Sequence, residues 1–576
     1  MVNLTIDGKA TSVPEKTTIM EAAKSLEIKI PKLCFLKEIN EIGACRVCVV
    51  EVEGIDRLVS SCNHMVEEGM VVYTNSPRVR DIRRTNLQLI LSEHNNDCPT
   101  CLRNGNCSLQ EVTEMMGIMT VPYENAWEEG FTDTDFPIIR DKSKCIKCMR
   151  CVSICDKVQS LSVWDVMNTG YRTTVGIKDN VDMNDSNCSA CGQCVTHCPV
   201  GALTVRRDIR HVYDALHNPD IVTVVQVAPA VRAGFADLYK DDEHELTTGQ
   251  MVTGLKKLGF DYVFDTNFAA DLTIMEEGSE LLDKLANKDK YKWPMFTSCC
   301  PGWVRFLKSE YPNMVDQLSS AKSPQQMFGA VTKSWFAKKI DVDPSRIHVI
   351  SIMPCSAKKY ECDVEEVNAT SGIKDVDTVL TTREMIQFMK TDNVNLLKLE
   401  ESEFDSPLGE GTGAAVIFGA SGGVMEAALR SAYFLIKNEN IDPDAFKVVR
   451  GYTDRRELEV DVDGYKVRCA AVSSLGEARK LIKDIQSGKS EYDFVEVMAC
   501  PGGCAGGGGQ PINDGEERVD KRAKTLYTLD KNAPIRYSHE NEEVGVLYKE
   551  FLGAPLSEKA HHLLHTHQRD WNYKLK

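Results

Sequence analysis

Three cysteine segments concentrate the chemistry of this 576-residue chain: Thr297-Ser298-Cys299-Cys300-Pro301-Gly302-Trp303, Met353-Pro354-Cys355-Ser356-Ala357-Lys358, and Met498-Ala499-Cys500-Pro501-Gly502-Gly503-Cys504 with the glycines Gly506 to Gly509 behind it. Cys300, Cys355, Cys500 and Cys504 supply the soft thiolates that an iron-sulfur cluster needs. Packing cysteines are ordinary one at a time, but three segments with Pro and Gly at fixed offsets are not explained by packing. Upstream, cysteines fall at Cys34, Cys45, Cys48 and Cys62, and His94 precedes Cys98, Cys101 and Cys107. Two copies of one spacing follow, Cys145-x2-Cys148-x2-Cys151-x3-Cys155 and Cys188-x2-Cys191-x2-Cys194-x3-Cys198.

The repeated run resembles that of two-cluster bacterial ferredoxins, in which the fourth cysteine of each run crosses to the other cluster. One four-iron site is then expected on Cys145, Cys148, Cys151 and Cys198, and the other on Cys188, Cys191, Cys194 and Cys155. Proline follows Cys198 but Asp156 follows Cys155, which touches turn geometry more than ligation. The first four cysteines resemble those of plant-type [2Fe-2S] ferredoxins, β-grasp domains, although the spacing differs; a zinc site is the alternative. His94 with Cys98, Cys101 and Cys107 resembles the His/Cys3 [4Fe-4S] site of complex I and of the iron-only hydrogenases. Imidazole in place of one thiolate removes a negative charge and should raise that cluster's potential.

The three downstream segments together resemble the signature of those iron-only, or [FeFe], hydrogenases. The resemblance implies an H-cluster: a [4Fe-4S] cube held by Cys300, Cys355, Cys500 and Cys504, with Cys504 bridging to a diiron unit that carries CO, CN and an azadithiolate bridge. It further implies a proton route from the free thiol of Cys299 through Glu277, Ser319 and Glu280 to water, and a cyanide-facing ammonium at Lys358. Pocket positions carried over are Pro229, Ala230, Ser323, Gln325, Met353, Phe418 and Met498; some members have serine where Ala230 stands. By residue type alone, Glu277 and Glu280 at i, i+3 read as a solvated helix face; the resemblance reverses that reading. Four accessory sites use fifteen cysteines and His94, the H-cluster uses four more, and Cys299, Cys362 and Cys469 remain of the 22.

Positioning such ligands takes a scaffold. Val2 to Ile6 reads as a strand, Asp7-Gly8 as a hairpin turn, and Thr18-Ile19-Met20-Glu21 as a capping box opening a helix to about Leu26. From about Arg210, strands at Ile221 to Val227, Tyr262 to Asp265, Met295-Phe296, His348 to Ile352, Val379-Leu380, Ala415 to Phe418 and Phe494 to Val497 alternate with helical segments. That alternation predicts a mostly parallel sheet with each H-cluster cysteine just past a strand's carboxyl end, the edge where α/β sheets bind ligands; the resemblance divides it into two lobes. The expected fold is modular α+β: a [2Fe-2S] domain over 1–78, a His/Cys3 domain over 79–125, a 2[4Fe-4S] domain over 126–209 and a two-lobed α/β H-cluster domain over 210–576.

The glycines Gly506 to Gly509 lack a following Gly-Lys-Ser/Thr, so they are read as close backbone approach to an inorganic cofactor rather than a phosphate loop. Gly409-Glu410-Gly411-Thr412-Gly413 is read as preceding a strand, the wrong context for a dinucleotide. With 68 basic and 85 acidic residues the chain carries -17, which argues against nucleic acid as a partner. The first residues show no secretory signal, and the apolar stretch 221–236 is broken by Gln226, Pro229 and Arg232, so a cytoplasmic protein without membrane insertion is expected. The resemblance implies an anaerobic ferredoxin hydrogenase that interconverts protons and electrons with H2, uses ferredoxin as its electron partner and depends on maturation enzymes. Two alternatives stand beside it: the catalytic subunit of an NAD(P)H-linked electron-bifurcating complex with flavin-binding partner subunits, suggested by the tail His561-His562-Leu563-Leu564-His565-Thr566-His567, or a hydrogen sensor or assembly relative. Arg78, Arg80, Arg83 and Arg84 offer a basic docking face for an acidic ferredoxin.

Overall fold

The structure is a computed structural model and describes residues 1–132, 135–238, 246–369, 372–452, 455–462, 465–514, 516–569 and 572–575. Strands β1 (Val2–Ile6) and β2 (Lys9–Val13) pair across Asp7 and Gly8, whose φ values of 46° and 80° are those of a type I′ hairpin turn. Helix α1 (Ile19–Ser25) starts at the expected capping box, Thr18 and Glu21 each satisfying the other's backbone amide. Strands β3 (Val49–Val52), β4 (Val59–Ser60) and β5 (Met70–Tyr73) complete a sheet of order β2-β1-β5-β3-β4, in which β1 and β5 run parallel. Helix α2 (Pro77–Ser92), N-capped by Ser76, buries Val79, Arg83, Leu87 and Leu91 along one stripe.

Farther on, Ile138–Asp141 pairs with Leu203–Val205 and so closes the two repeated cysteine runs on each other. Two four-stranded sheets follow. The first joins β6 (Val222–Val227), β7 (Tyr262–Asp265), β9 (Ile347–Met353) and β10 (Thr378–Thr381) in order β7-β6-β9-β10, every pairing parallel. Its strands are buried along nearly their whole length, polar Gln226, Asp265 and Ser351 included, as in a sheet covered on both faces. The second joins β8 (Met295–Phe296), β11 (Arg456–Val462), β12 (Tyr465–Ser473) and β13 (Phe494–Met498) in order β8-β13-β12-β11, with β11 an antiparallel edge. Side-chain alternation splits this sheet between two cores: Ala470, Val472, Val495 and Val497 pack with Ile154, Val195 and Val200 of the repeated-cysteine region, while Cys469, Ala471, Phe494 and Met498 pack toward Ala415, Phe418 and Val424. The repeated-cysteine region and the second sheet therefore share one core.

The helices that matter for the site are α3 (Thr266–Ala286), α4 (Pro301–Glu310), α5 (Pro324–Val331), α6 (Ala357–Asp363), α7 (Gly413–Val416) and α8 (Glu558–Leu564). The strand expected over Ala415 to Phe418 is α7 followed by a 3-10 turn at Ile417–Gly419. Thr412 accepts from the amide of Ala415 and its hydroxyl donates to Asp271, so a cap starts a helix where the apolar run alone reads as a strand. The segment from Gly409 to Gly413 thus opens a helix after all, but Cβ atoms at Gly411 and Gly413 would strike Asn267 and Asp530, so these glycines serve packing.

Candidate functional site

The carboxyl ends of β6, β7, β8, β9 and β13 meet at a cavity of about 80 Å³ lined by Pro229, Ala230, Cys299, Cys300, Gln325, Met353, Cys355, Lys358, Phe418, Met498 and Cys504. Cys300 immediately precedes α4, and its sulfur accepts from the amide of Ala499 at 3.4 Å. Cys500 sits behind the lining with its Sγ 3.6 Å from the carbonyl oxygen of Cys191. Burial pushes the thiols of Cys300, Cys355 and Cys500 up, Cys355 to about 12, and at Cys355 and Cys500 the charges of neighbouring thiols add to the shift. Four clustered thiols, three of which are pushed up by the charge of their neighbours, form a donor set that a multivalent cationic centre relieves, which fits an iron-sulfur cluster. Cβ atoms at Gly507 and Gly508 would strike the carbonyl oxygens of Pro354 and Cys191. The glycine run is thus pressed against the backbone beside Cys355 and at Cys191.

Lys358 reaches the cavity from α6, its Nζ 3.2 Å from the carbonyl oxygen of Cys299 and 2.8 Å from Glu361 Oε2. Burial works against its charge, yet the Glu361 carboxylate outweighs that and pushes the ammonium pKa up. The same Glu361 oxygen accepts from Ser323 Oγ at 2.9 Å and from Gln325 Nε2 at 3.1 Å. Three positions named from the sequence thus converge on Glu361, which sequence reading missed; its i, i+3 relation to Lys358 is the one local signal. Gln325 Oε1 is buried without a hydrogen-bond partner, as suits a wall that meets a polar group. Ala230 offers no side-chain donor; its carbonyl accepts from Gln510 Nε2 at 2.8 Å.

On the opposite wall, Cys299 is pushed well up by burial and then by the charge of Glu277. Both carboxyl oxygens of Glu277 are buried without a partner at hydrogen-bonding geometry. Burial, with repulsion from Glu280, raises this carboxyl to about 8; the Ser319 hydroxyl and the Ser298 amide only soften the shift. Ser319 Oγ donates to Glu280 Oε2 at 2.6 Å, and the amide of Ser320 donates to both Glu280 oxygens at 3.1 Å. Burial alone would raise Glu280 too, but Lys284, 2.7 Å away, and these donors hold it below the ordinary carboxylate value. Glu280 and Lys284 then line a cavity of about 550 Å³ together with His561, His567, Asp316 and Arg569. Cys299, Glu277, Ser319 and Glu280 therefore stand between the central cavity and the outer one.

The accessory cysteines gather in separate groups. Cys34 pairs with Cys45 and Cys48 with Cys62: shared hydrogen bonding lowers Cys45 to about 6 and raises Cys34, and lowers Cys48 while raising Cys62. His94 Nδ1 donates to the carbonyl of Lys144 at 3.0 Å, which leaves Nε2 free, and burial lowers its pKa and favours the neutral ring that binds metal. His94, Cys98, Cys101 and Cys107 line one cavity. Cys198 lies beside Cys145 and Cys148, and Cys151 feels all three; Cys155 lies with Cys188, Cys191 and Cys194. The second set stands next to the central cavity through the Cys191 to Cys500 contact. Of the four arginines expected to form a basic face, Arg83 is buried, with Nε and Nη2 donating to the carbonyl of Val49. Arg78 is exposed but donates to the Asp56 carbonyl and pairs with Glu51 at 4.0 Å, while Arg80 and Arg84 are exposed one turn apart.

Comparison with known proteins gives five matching family models. Residues 221–508 match the C-terminal domain of the iron only hydrogenase large subunit, and residues 516–571 match the iron hydrogenase small subunit. Residues 1–77 match a 2Fe-2S iron-sulfur cluster binding domain, 83–122 the NADH-ubiquinone oxidoreductase-G iron-sulfur binding region, and 144–202 a 4Fe-4S dicluster domain. The NADP-reducing hydrogenase subunit HndD of Solidesulfovibrio fructosivorans is 47% identical, with 98% of each chain covered. Iron hydrogenase 1 of Clostridium pasteurianum is 38% identical over 98% of this chain and 99% of its own. The solved apo [FeFe]-hydrogenase HydA1 of Chlamydomonas reinhardtii superposes with a TM-score of 0.55 at 40% identity, covering 62% of this chain and 98% of that one.

Proposed function

The chain belongs to the iron-only hydrogenase family, and from that premise we propose that it interconverts two protons and two electrons with dihydrogen at an H-cluster held by Cys300, Cys355, Cys500 and Cys504. The observation that carries this reading is the cavity in which Cys300, Cys355 and Cys504 meet Cys299 and Lys358, with Cys500 behind its lining and a buried carboxyl chain leading outward from it. When bound, the H-cluster supplies the redox iron at which the bond between hydrogens is made or broken. The protein's own residues manage charge and protons around it. Cys299 holds its proton on sulfur, because burial and Glu277 disfavour the thiolate. Glu277, at about 8, is poised to take and return that proton near neutral pH. Ser319 carries it on by exchanging donor and acceptor roles, and Glu280, kept ionised by Lys284, receives it at the edge of the outer cavity. Lys358, fixed by Glu361, sets a positive charge on the wall, where it suits an anionic ligand such as cyanide.

For electrons we assign one [2Fe-2S] site to Cys34, Cys45, Cys48 and Cys62, a [4Fe-4S] site to His94, Cys98, Cys101 and Cys107, and two more to the crossed cysteine runs. The domain limits 1–78, 79–125, 126–209 and 210–576 follow these ligand sets. The set containing Cys191 is the last step before the H-cluster, supported by its contact with Cys500. Ferredoxin remains one partner reading. The relative named as an NADP-reducing hydrogenase subunit, matched over 98% of both chains, supports the second, a catalytic subunit that exchanges electrons with NADP-linked partner subunits. No helix among the described residues is long and apolar enough to cross a membrane; the cytoplasmic location is our proposal from the sequence.

The test is infrared spectroscopy and hydrogen evolution on one anaerobically matured sample. Terminal CO and CN bands with turnover are expected; full iron loading without those bands would leave an electron-transfer or assembly role instead. Stable co-purification with a flavin- and NADP-binding partner would decide between the two electron routes.

A further inference from the structure

The glutamate next to Glu277 takes no part in the route above, yet it is fully buried and fully engaged. Glu276, on α3, accepts from the Tyr548 hydroxyl, from the amide of Leu556 at 3.0 Å and from His565 Nε2 at 2.9 Å. The other ring nitrogen of His565 lies 2.8 Å from Ser320 Oγ. Ser320 is the residue whose backbone amide donates to both oxygens of Glu280. The backbone fixes the same junction: His565 bridges to Ala321, Thr566 donates to the carbonyl of Ser320, Lys322 donates to the carbonyl of Leu564, and Gln568 Nε2 reaches the carbonyl of Ser319. One imidazole therefore ties the loop that carries Ser319 and Ser320 to a carboxylate on the helix that carries Glu277 and Glu280.

We propose that His565 is a positioning residue of the proton route, and that its charge, passed through Ser320, sets how readily Glu280 holds a proton. The ring has two arrangements at this place. Neutral, it donates from Nε2 to Glu276 and accepts the Ser320 hydroxyl proton at Nδ1. Protonated, it donates from both nitrogens, Glu276 balances its charge, and the Ser320 hydroxyl must turn its proton elsewhere. The charged and titratable groups around it are Glu276 on α3, with Tyr548 behind that carboxylate, His561 on α8 with ring centroids 4.5 Å apart, and, past Ser320, Glu280, which lines the outer cavity with Lys284, His561 and His567. A positive ring in this set favours ionised Glu280, so removing it should make Glu280 easier to protonate.

This inference rests on the hydrogenase reading, and the experiment keeps the two apart. Matured wild type, His565→Gln and Glu276→Gln are assayed with a reduced viologen dye over about pH 5 to 9, and the carboxyl C=O infrared band is followed on the same samples. His565→Gln should move the acid limb of the profile to higher pH, with turnover about tenfold lower on that limb and near wild type on the alkaline side, whereas Glu276→Gln, which takes a negative charge away, should move it to lower pH. In His565→Gln the protonated-carboxyl band should then persist to higher pH than in wild type. An unchanged limb, or an equal loss at every pH with an unshifted band, overturns the proposal and leaves a purely structural role. If His565→Gln does not fold, Glu276→Gln, which keeps the ring and removes its counter-charge, decides: an acid limb moved to lower pH supports the proposal, and an unchanged limb or an equal loss at every pH overturns it. Wild type without turnover or CO and CN bands would instead fail the hydrogenase reading.

Discussion

Lys358 Nζ and Glu361 Oε2 stand 2.8 Å apart, one turn apart on α6, and Glu361 has no other cation among its contacts with the described residues. Breaking such a pair leaves a buried ammonium alone, which costs about 3 kcal/mol or more. Glu361→Gln should therefore lower thermal stability by that order and reduce retention of the diiron unit, seen as loss of CO and CN bands with the accessory-cluster signals intact. Equal melting temperatures for variant and wild type would remove Glu361 from this role.

Glu277 gives a pH dependence with a definite sign. Its folded value of about 8 lies above its ordinary 4.5, so the native state binds the extra proton between those values. Its contribution to stability is full below about 4.5, falls as pH rises, and is lost above about 8. Glu277→Gln should flatten the decline in chemical-denaturation stability across that window by up to a few kcal/mol, and lower turnover about 10²-fold or more.

Glu280 is the opposite case, because Lys284 and its hydrogen bonds hold it down against burial. Lys284→Met should raise the Glu280 pKa and move the acid limb of the activity profile to higher pH, without altering the infrared bands of the cofactor. A profile identical to wild type would mean that proton exchange bypasses Glu280.

At the accessory end, His94→Ala removes a ligand whose Nδ1 is already fixed by Lys144. The expected result is loss of one cluster, about four iron atoms per chain, with the remaining clusters present by paramagnetic resonance. His94→Cys should restore the iron and lower that cluster's midpoint potential, because a thiolate adds negative charge.

For the electron partner, Arg80→Glu with Arg84→Glu should raise KM for ferredoxin several-fold and spare activity with a viologen dye. Arg83 does not belong in that test: it is buried against Val49 beside Cys48, and changing it would disturb the first cluster site.

What the chain can hold is legible along the sequence. The candidate thiolates stand in local motifs; the grouping of Cys300, Cys355, Cys500 and Cys504 comes from those motifs read beside the iron-only hydrogenases, and the crossed grouping of Cys198 with the first run and Cys155 with the second from spacing read beside the two-cluster ferredoxins. The hairpin at Asp7-Gly8 and the capping box at Thr18 are equally local, and the structure has both. Contacts between distant residues required the folded chain. Glu361 gathers Ser323 and Gln325 from 38 and 36 positions away, and His565 meets Glu276 across 289. Nothing in either neighbourhood marks a buried glutamate as different from a surface one, because burial is a property of what packs over it. The misread strand at Ala415 has the same cause: an apolar run fits helix or strand equally, and the cap supplied by Thr412 with its distant partner Asp271 chose between them.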